Sequence, residues 1–512
     1  LHSFPTRRSS DLFVVEKNVS QVTAQEETAL KARGYNEDLL PSSPKQRTMG
    51  ARNFFTLWMG SIHNIPNYAA VGGFIFLGLS PLQVMLAVVL SSFIVATFMN
   101  LNGVAGSKYG IPFAMHLQST YGSLGAKLPG FLRGCVAAIA WFGLQTFTGS
   151  LALLIILGKF WPNFLQIGGS FQFFGLRLPE LMAFTLFWLL NVAIGFGGSK
   201  ILNRFTAILS PLIYVVIIGL TIWAIRAGGG LTPILSYQVS GAIRSVNPLV
   251  AYLIIFNSVV AVWSAPGASV ADFTKNARST RAQVVGQTAG LVVGYGIFAF
   301  SSVVILLGGS LYFGIQEWNI LNIIDRLDNV AVVVLAMSVF LLTTISTNAT
   351  GNIIPAGYQL AALFPKKMTY KKGVIIASVI SFLIMPWKLM ENADSIFIFL
   401  NAIGAVLGPV AGVMIANYYF VQKQQIDLND LYVDKHKKEE ANPFYGLNKP
   451  AYVATILALV LSLSGQFIPQ VKIIADISWF VGFATGFVLY LVLKKWTWDS
   501  KKVKETAYQE GK

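Results

Sequence analysis

The residues best placed to do chemistry in this chain are two tryptophans, a few amides and a run of hydroxyls, all set in apolar surroundings. In the stretch AWFGLQTFTGS (140–150), Trp141 and Gln145 stand four residues apart and so share one face of a helix. An indole plane beside an amide suits a flat polar ring. The indole stacks on the ring, and the amide offers both a donor and an acceptor to ring N–H and C=O groups. Trp263, in VVAVWSAPGASVADF (259–273), could cover the opposite ring face. In TTISTNATGN (343–352), Thr343, Ser346 and Thr347 fall at i, i+3 and i+4. Their hydroxyls, joined by free backbone carbonyls, would make an all-oxygen shell for a small hard cation such as sodium. The competing reading has the same hydroxyls bonded back into their own helix. Asn352 is rotated away from that face and could meet the ligand.

Free carbonyls require a broken helix, and two segments carry the signal. The stretch WMGSIHNIPNYAAVGG (58–73) has Pro66 in its middle, flanked by Asn64 and Asn67. Proline removes a backbone donor and clashes with the preceding turn. Asn side chains then compete for the freed groups. The second signal is Pro266-Gly267, beside Trp263. A lone proline would read as a kink in a packed helix. Two breaks at corresponding positions of two halves point to a binding site near the middle of a membrane. His63 is the titratable group at the first break; it could bind or relay a proton, but a hydrogen-bonded structural role is expected. No carboxylate lies near the middle of these spans, since Asp272, Glu391 and Asp394 fall near span ends. That favours sodium over proton coupling.

The elements that must hold these residues follow from composition. The chain has 512 residues, 54% hydrophobic and 12% charged, with 46 Gly and 37 Phe. Its mean hydropathy is +0.61. Soluble proteins carry about 25% charged residues, so most of this surface must face lipid. Twelve apolar segments are each long enough, or nearly so, to cross a bilayer: 53–76, 82–102, 129–156, 178–198, 205–226, 248–270, 284–309, 329–353, 373–388, 394–421, 450–469 and 473–495. The expected fold is an all-α polytopic membrane protein. Spans 1–5 (about 53–226) and 6–10 (about 248–421) would form a five-plus-five inverted repeat, with two more helices at about 450–495. A polar arm (13–52) and a tail (496–512) flank the membrane domain. Residues 1–12 (LHSFPTRRSSDL) read as adapter-like, non-native sequence and are set apart from the fold.

The net charge of +16 does not read as nucleic-acid binding, because Lys and Arg cluster between apolar segments. Lys108, Lys275, Arg278, Arg281, Lys371, Lys372 and Lys423 fall in alternate loops. This asymmetry predicts both termini in the cytoplasm and a multi-pass protein of the plasma (inner) membrane. The single cysteine, Cys135, excludes an internal disulfide. No phosphate-cradling loop, HExxH or CxxC is present, which argues against an ATP-driven pump or an enzyme.

At these residues the chain resembles the nucleobase:cation symporter-1 family. The likeness runs from about Asn36 to Trp496, through NEDLLP (36–41), LWMGSIHNIPNYA (57–69), GSKYGIPF (106–113), AWFGLQTFTGS (140–150), DFTK (272–275), TTISTNATGN (343–352) and WKLMENADS (387–395). The resemblance implies a LeuT-like fold, alternating access and no prosthetic cofactor. Carried over by motif, Asn64, Trp141, Gln145, Trp263 and Asn352 would contact substrate. Gly60 and His63, by their carbonyls, and Thr343, Ser346 and Thr347 would hold a sodium ion. IHNIP beside WKLMENA looks most like bacterial allantoin permeases. This implies symport of allantoin by a monomer, with uracil, cytosine, purine or hydantoin as alternatives and a channel or sensor as a remote one. Two departures stand out: Lys275 occupies a position where Arg is usual, and SVAD replaces NIPD.

Overall fold

The computed structural model describes residues 24–197, 199–241, 246–364 and 367–510. The expectations for residues 1–12, and for the arm up to residue 23, lie outside them. Almost every described element is helical. The β-structure consists of a two-residue hairpin, Gln172–Phe173 with Leu176–Arg177, and one isolated bridge. In chain order the helices used below are α1 (Ala51–Ile62), α2 (Ile65–Ile75), α3 (Pro81–Tyr109), α4 (Phe113–Gly125), α5 (Lys127–Phe160), α6 (Leu178–Gly197), α7 (Ser199–Ala227), α8 (Pro248–Ala268), α9 (Thr280–Phe313), α10 (Val330–Ala361), α11 (Tyr370–Leu383), α12 (Asp394–Val421), α13 (Lys449–Phe467) and α14 (Ser478–Thr497).

Among the described residues nine helices are long and apolar enough to span a bilayer, so unbroken helices do not reach the predicted twelve. The difference falls on three segments. The first is split into α1 and α2. The fifth is the continuous α7, of which only the shorter stretch Pro211–Ala227 is set against that length. The ninth is the 14-residue α11, which ends before a 3₁₀ turn at Pro386–Met390.

The first break forms where the sequence predicts it. His63 and Asn64 leave helical geometry. Pro66 sits in the first turn of α2, where no donor is needed. Asn64 Oδ1 accepts from Asn67 N at 3.1 Å, and Asn67 Nδ2 donates to Ile62 O at 2.7 Å. Polar backbone at membrane depth must find such partners. His63 is hydrogen-bonded: its Nδ1 bonds Tyr68 OH at 2.6 Å and its ring stands edge-on to Tyr214. Asn67→Leu would remove the shorter of the two hydrogen bonds to the Ile62 carbonyl, which keeps the one from Asn64 N, at a cost of about 1 kcal/mol. A lowered thermal midpoint of the purified protein is the expected result, and an unchanged midpoint would assign the break to Pro66 alone.

The second break differs from expectation. Helix α8 runs through Pro266 and ends at Ala268, and a short helix, Ala271–Thr274, follows. A proline two residues from a helix end removes only one intrahelical bond, so the helix tolerates it. Gly267 serves packing here. It has no Cβ, which lets Phe98 and Met99 of α3 lie against the helix.

Two cavity-facing helices carry wide π-helical turns, Leu132–Ala137 in α5 and Ala349–Ile353 in α10. Helix α5 packs on α10 and α6, whereas α8 packs on α3 and α12, and α12 on α14. Gly408 and Gly412 bring α12 against the backbone of Trp479 and Phe483 in α14, a close approach suited to membrane helices. The arm and the 422–449 loop lie on one face. Arg33 donates to the carbonyls of Asn429 and Tyr432, and Lys108 to that of Gln424. Lys159–Asp325 and Arg177–Glu180 ion pairs join other loops.

Candidate substrate and cation site

A cavity of about 550 Å³ lies between the α1–α2 break, α5, α8 and α10, within the size range of small-molecule sites. These are the first and third spans of each predicted repeat. The cavity reaches from Trp141 to arm residues Asn36 and Asp38. All five sequence-predicted substrate residues, Asn64, Trp141, Gln145, Trp263 and Asn352, line it.

Their polar atoms divide into those already engaged and those left for a ligand. Trp263 Nε1 donates to Tyr295 OH at 2.5 Å, and its ring stands edge-on to Trp58. That indole is held firmly and offers mainly its flat surface. Trp141 is 4% exposed and stands edge-on to Phe399 at 4.9 Å; its Nε1 has no acceptor. Gln145 Oε1 accepts from Thr347 Oγ1 at 3.2 Å, and no described group takes a hydrogen from its Nε2. Asn352 Nδ2 donates to Asn348 Oδ1 at 2.9 Å, leaving its own carbonyl oxygen on the cavity wall. The cavity therefore presents a donor from α5 and an acceptor from α10 beside an indole, the set a flat ring with C=O and N–H groups needs.

The predicted cation ligands do not meet in the same way. Thr347 lines the same cavity, whereas Gly60, His63, Thr343 and Ser346 do not. Thr343 Oγ1 donates to the carbonyls of Val339 and Phe340, and Thr347 Oγ1 also donates to those of Thr343 and Thr344. This is the own-helix bonding that competes with a cation role, although a donating hydroxyl keeps lone pairs for a cation. The helix break does free the two predicted carbonyls. Asn64 N donates to Ile62 O instead of Gly60 O, and Asn67 N donates to Asn64 O. Pro66 has no N–H to offer His63 O. Among the described residues no cluster of three or more His, Cys, Asp or Glu could hold a transition metal.

A family-level profile described as "Permease for cytosine/purines, uracil, thiamine, allantoin" matches residues 41–482. The chain belongs to this permease family. It is a membrane transporter, not an enzyme. It is 54% identical over 469 residues to a putative allantoin permease of Escherichia coli (strain K12), covering 92% of this chain and 96% of that one. It is 39% identical over 466 residues to the allantoin permease of Bacillus subtilis (strain 168), covering 90% and 93%. Among solved structures it resembles an inward-facing conformation of Mhp1, with a TM-score of 0.73 at 22% identity over 91% of this chain and 94% of that one. It also resembles Mhp1, a nucleobase-cation-symport-1 family transporter, in a closed conformation with bromovinylhydantoin bound, at a TM-score of 0.70 over 91% and 96%. These neighbours bear out the helical transporter fold.

Around the permease's cavity lie further residues that sequence reasoning missed. Asn348 is buried and donates to Thr146 Oγ1 at 3.0 Å and Asn191 Oδ1 at 3.2 Å while accepting from Asn352. It ties α10 to α5 and α6 and aims Asn352. The signal was an amide four residues before Asn352, on the same helix face. Arg133, eight residues before Trp141, also lines the cavity. Its signal was a basic residue inside the predicted third span.

Proposed function

We propose that this permease imports allantoin, or a closely similar ureide or nucleobase ring, together with sodium, by alternating access. The observation that carries the reading is the shared cavity of Asn64, Trp141, Gln145, Trp263 and Asn352. The names of the two relatives at 54% and 39% identity support allantoin over other rings. The ring stacks on Trp141 and is covered by Trp263, while Gln145 Nε2 and Asn352 Oδ1 read its carbonyl and N–H edges. Binding couples to movement through differential affinity for the two facing states.

The carbonyls of Gly60 and His63, freed by the break, and the hydroxyls of Thr343, Ser346 and Thr347 supply the sodium ligands once α1 and α10 close on each other. The protein works as a monomer in the plasma membrane with both termini cytoplasmic, so the cavity reaching the arm faces inward. The repeats run over about 53–226 and 248–421, with the added helices at 450–495.

Uptake of labelled allantoin, uracil, cytosine and hydantoin into proteoliposomes tests the substrate. Accumulation of allantoin driven by an imposed sodium gradient is expected, and no accumulation of any of the four would sink the proposal. Thr343→Ala is expected to raise the half-saturating sodium concentration roughly tenfold, the scale on which a lost supporting group weakens a metal site. The same sodium dependence in mutant and wild type would remove Thr343 from the ion's shell.

A further inference from the structure

Arg133 belongs to neither the substrate nor the cation set, yet it is only 4% exposed and lines the cavity. The π-turn of α5 carries it. Its Nε donates to Ala265 O at 2.6 Å and to Ser269 Oγ at 3.2 Å, and its Nη2 donates to Gly351 O at 3.3 Å. Each backbone acceptor sits at a helix defect. Ala265 O belongs to the last turn of α8, just before Pro266, at the negative end of the helix dipole. Gly351 O lies in the π-turn of α10, four residues before Pro355, which has no N–H to offer it. A guanidinium can serve both because its donors are spread over a planar fork.

The contacts divide the surroundings into two groups. Helices α5 and α10 pack together and are stitched by Asn348, whereas α8 packs on α3 and α12. Arg133 stands on the first group, and its Nε bonds cross to the second. Any movement of α8 against α5 and α10 must break them. The hold is also incomplete. Arg133 Nη1 is buried without an acceptor. Asp272, the acid that acts on Arg133 electrostatically, forms no ion pair with it among the described residues and accepts instead from Phe113 N at 2.9 Å. A fully paired buried guanidinium would be costly to release, and this one is not fully paired.

We propose that Arg133 is a positioning residue for transport: a reversible latch that ties the carboxyl end of α8 to the α5–α10 pair and favours the state in which the cavity reaches the arm face. The proposal rests on the alternating-access reading, but its test needs no substrate. Ala114 is exposed on the cavity wall. Alkylation of an Ala114→Cys reporter by a polar maleimide, in a Cys135→Ala background, reads how often the cavity is open on that side.

Loss of charge-assisted hydrogen bonds made in one state only shifts a two-state population roughly tenfold. Arg133→Gln is therefore expected to slow labelling, by at most about tenfold. Arg133→Lys, which keeps the charge but reaches one carbonyl at a time, should slow it less. Both variants should stay monodisperse with a near-wild-type thermal midpoint. Wild-type labelling rates in both variants would overturn the latch. So would loss of folded protein in both, which would give Arg133 a purely structural role. Failure of allantoin uptake in the wild type, with the labelling shift intact, would count against the substrate and leave the latch standing.

Discussion

Trp141→Ala is expected to raise the apparent dissociation constant for substrate roughly ten- to hundredfold. Stacking a flat ring on an aromatic side chain contributes about 1–3 kcal/mol, and each 1.4 kcal/mol is about a factor of ten. Trp141 is the cleaner of the two tryptophans to test. Its indole N–H has no partner to lose, and its closest aromatic contact is the single edge-on approach of Phe399. Removing Trp263 would also break the bond to Tyr295 and the packing on Trp58, mixing a folding defect into the result. Trp141→Phe should recover part of the affinity, since a smaller ring still stacks. Substrate-dependent thermal stabilisation of the purified protein measures the constant directly. Equal constants for Trp141→Ala and wild type would take this residue out of the site.

The second large effect is expected from Gln145→Leu. The substitution keeps the approximate shape, removes the Nε2 donor on the proposed ligand's side and would leave the ligand's oxygen without that partner. Such a loss costs about 1–3 kcal/mol, so the transport efficiency kcat/KM should fall roughly ten- to hundredfold. Collateral damage should be small, because Thr347 Oγ1, which loses Gln145 Oε1 as an acceptor, keeps the carbonyls of Thr343 and Thr344. The discriminating measurement is competition by ring analogues with and without the carbonyl that Nε2 would meet. The mutant should lose its preference between them. A preserved preference would assign that contact to another donor.

The two substitutions separate two parts of recognition. In the proposed site Trp141 would provide area, which many flat rings satisfy, and Gln145 a donor, which only a suitably placed acceptor satisfies. An affinity loss for Trp141→Ala shared by allantoin, uracil and hydantoin, together with a ring-dependent loss for Gln145→Leu, is the expected pattern.

What the sequence determined by itself was local. Hydropathy made the chain a polytopic helical membrane protein, because a 54% apolar chain of this length cannot cover itself with polar surface. Pro66 between two asparagines placed the α1–α2 break, because a missing donor and two competing amides act within one turn. The four-residue spacing of Trp141 and Gln145 put them on one face, and the five residues expected to contact substrate line one cavity. The tertiary structure decided what depends on partners far along the chain. Pro266 did not break α8, because its place near the helix end costs one bond while α3 packs on Gly267. Thr343 turned its hydroxyl onto its own helix, a choice that spacing left open. Arg133 is a basic residue inside the third predicted span, and no local pattern in the sequence says what it meets. It reaches Ala265 and Gly351, 132 and 218 residues away, because packing brings the carboxyl end of α8 and the π-turn of α10 against the same turn of α5.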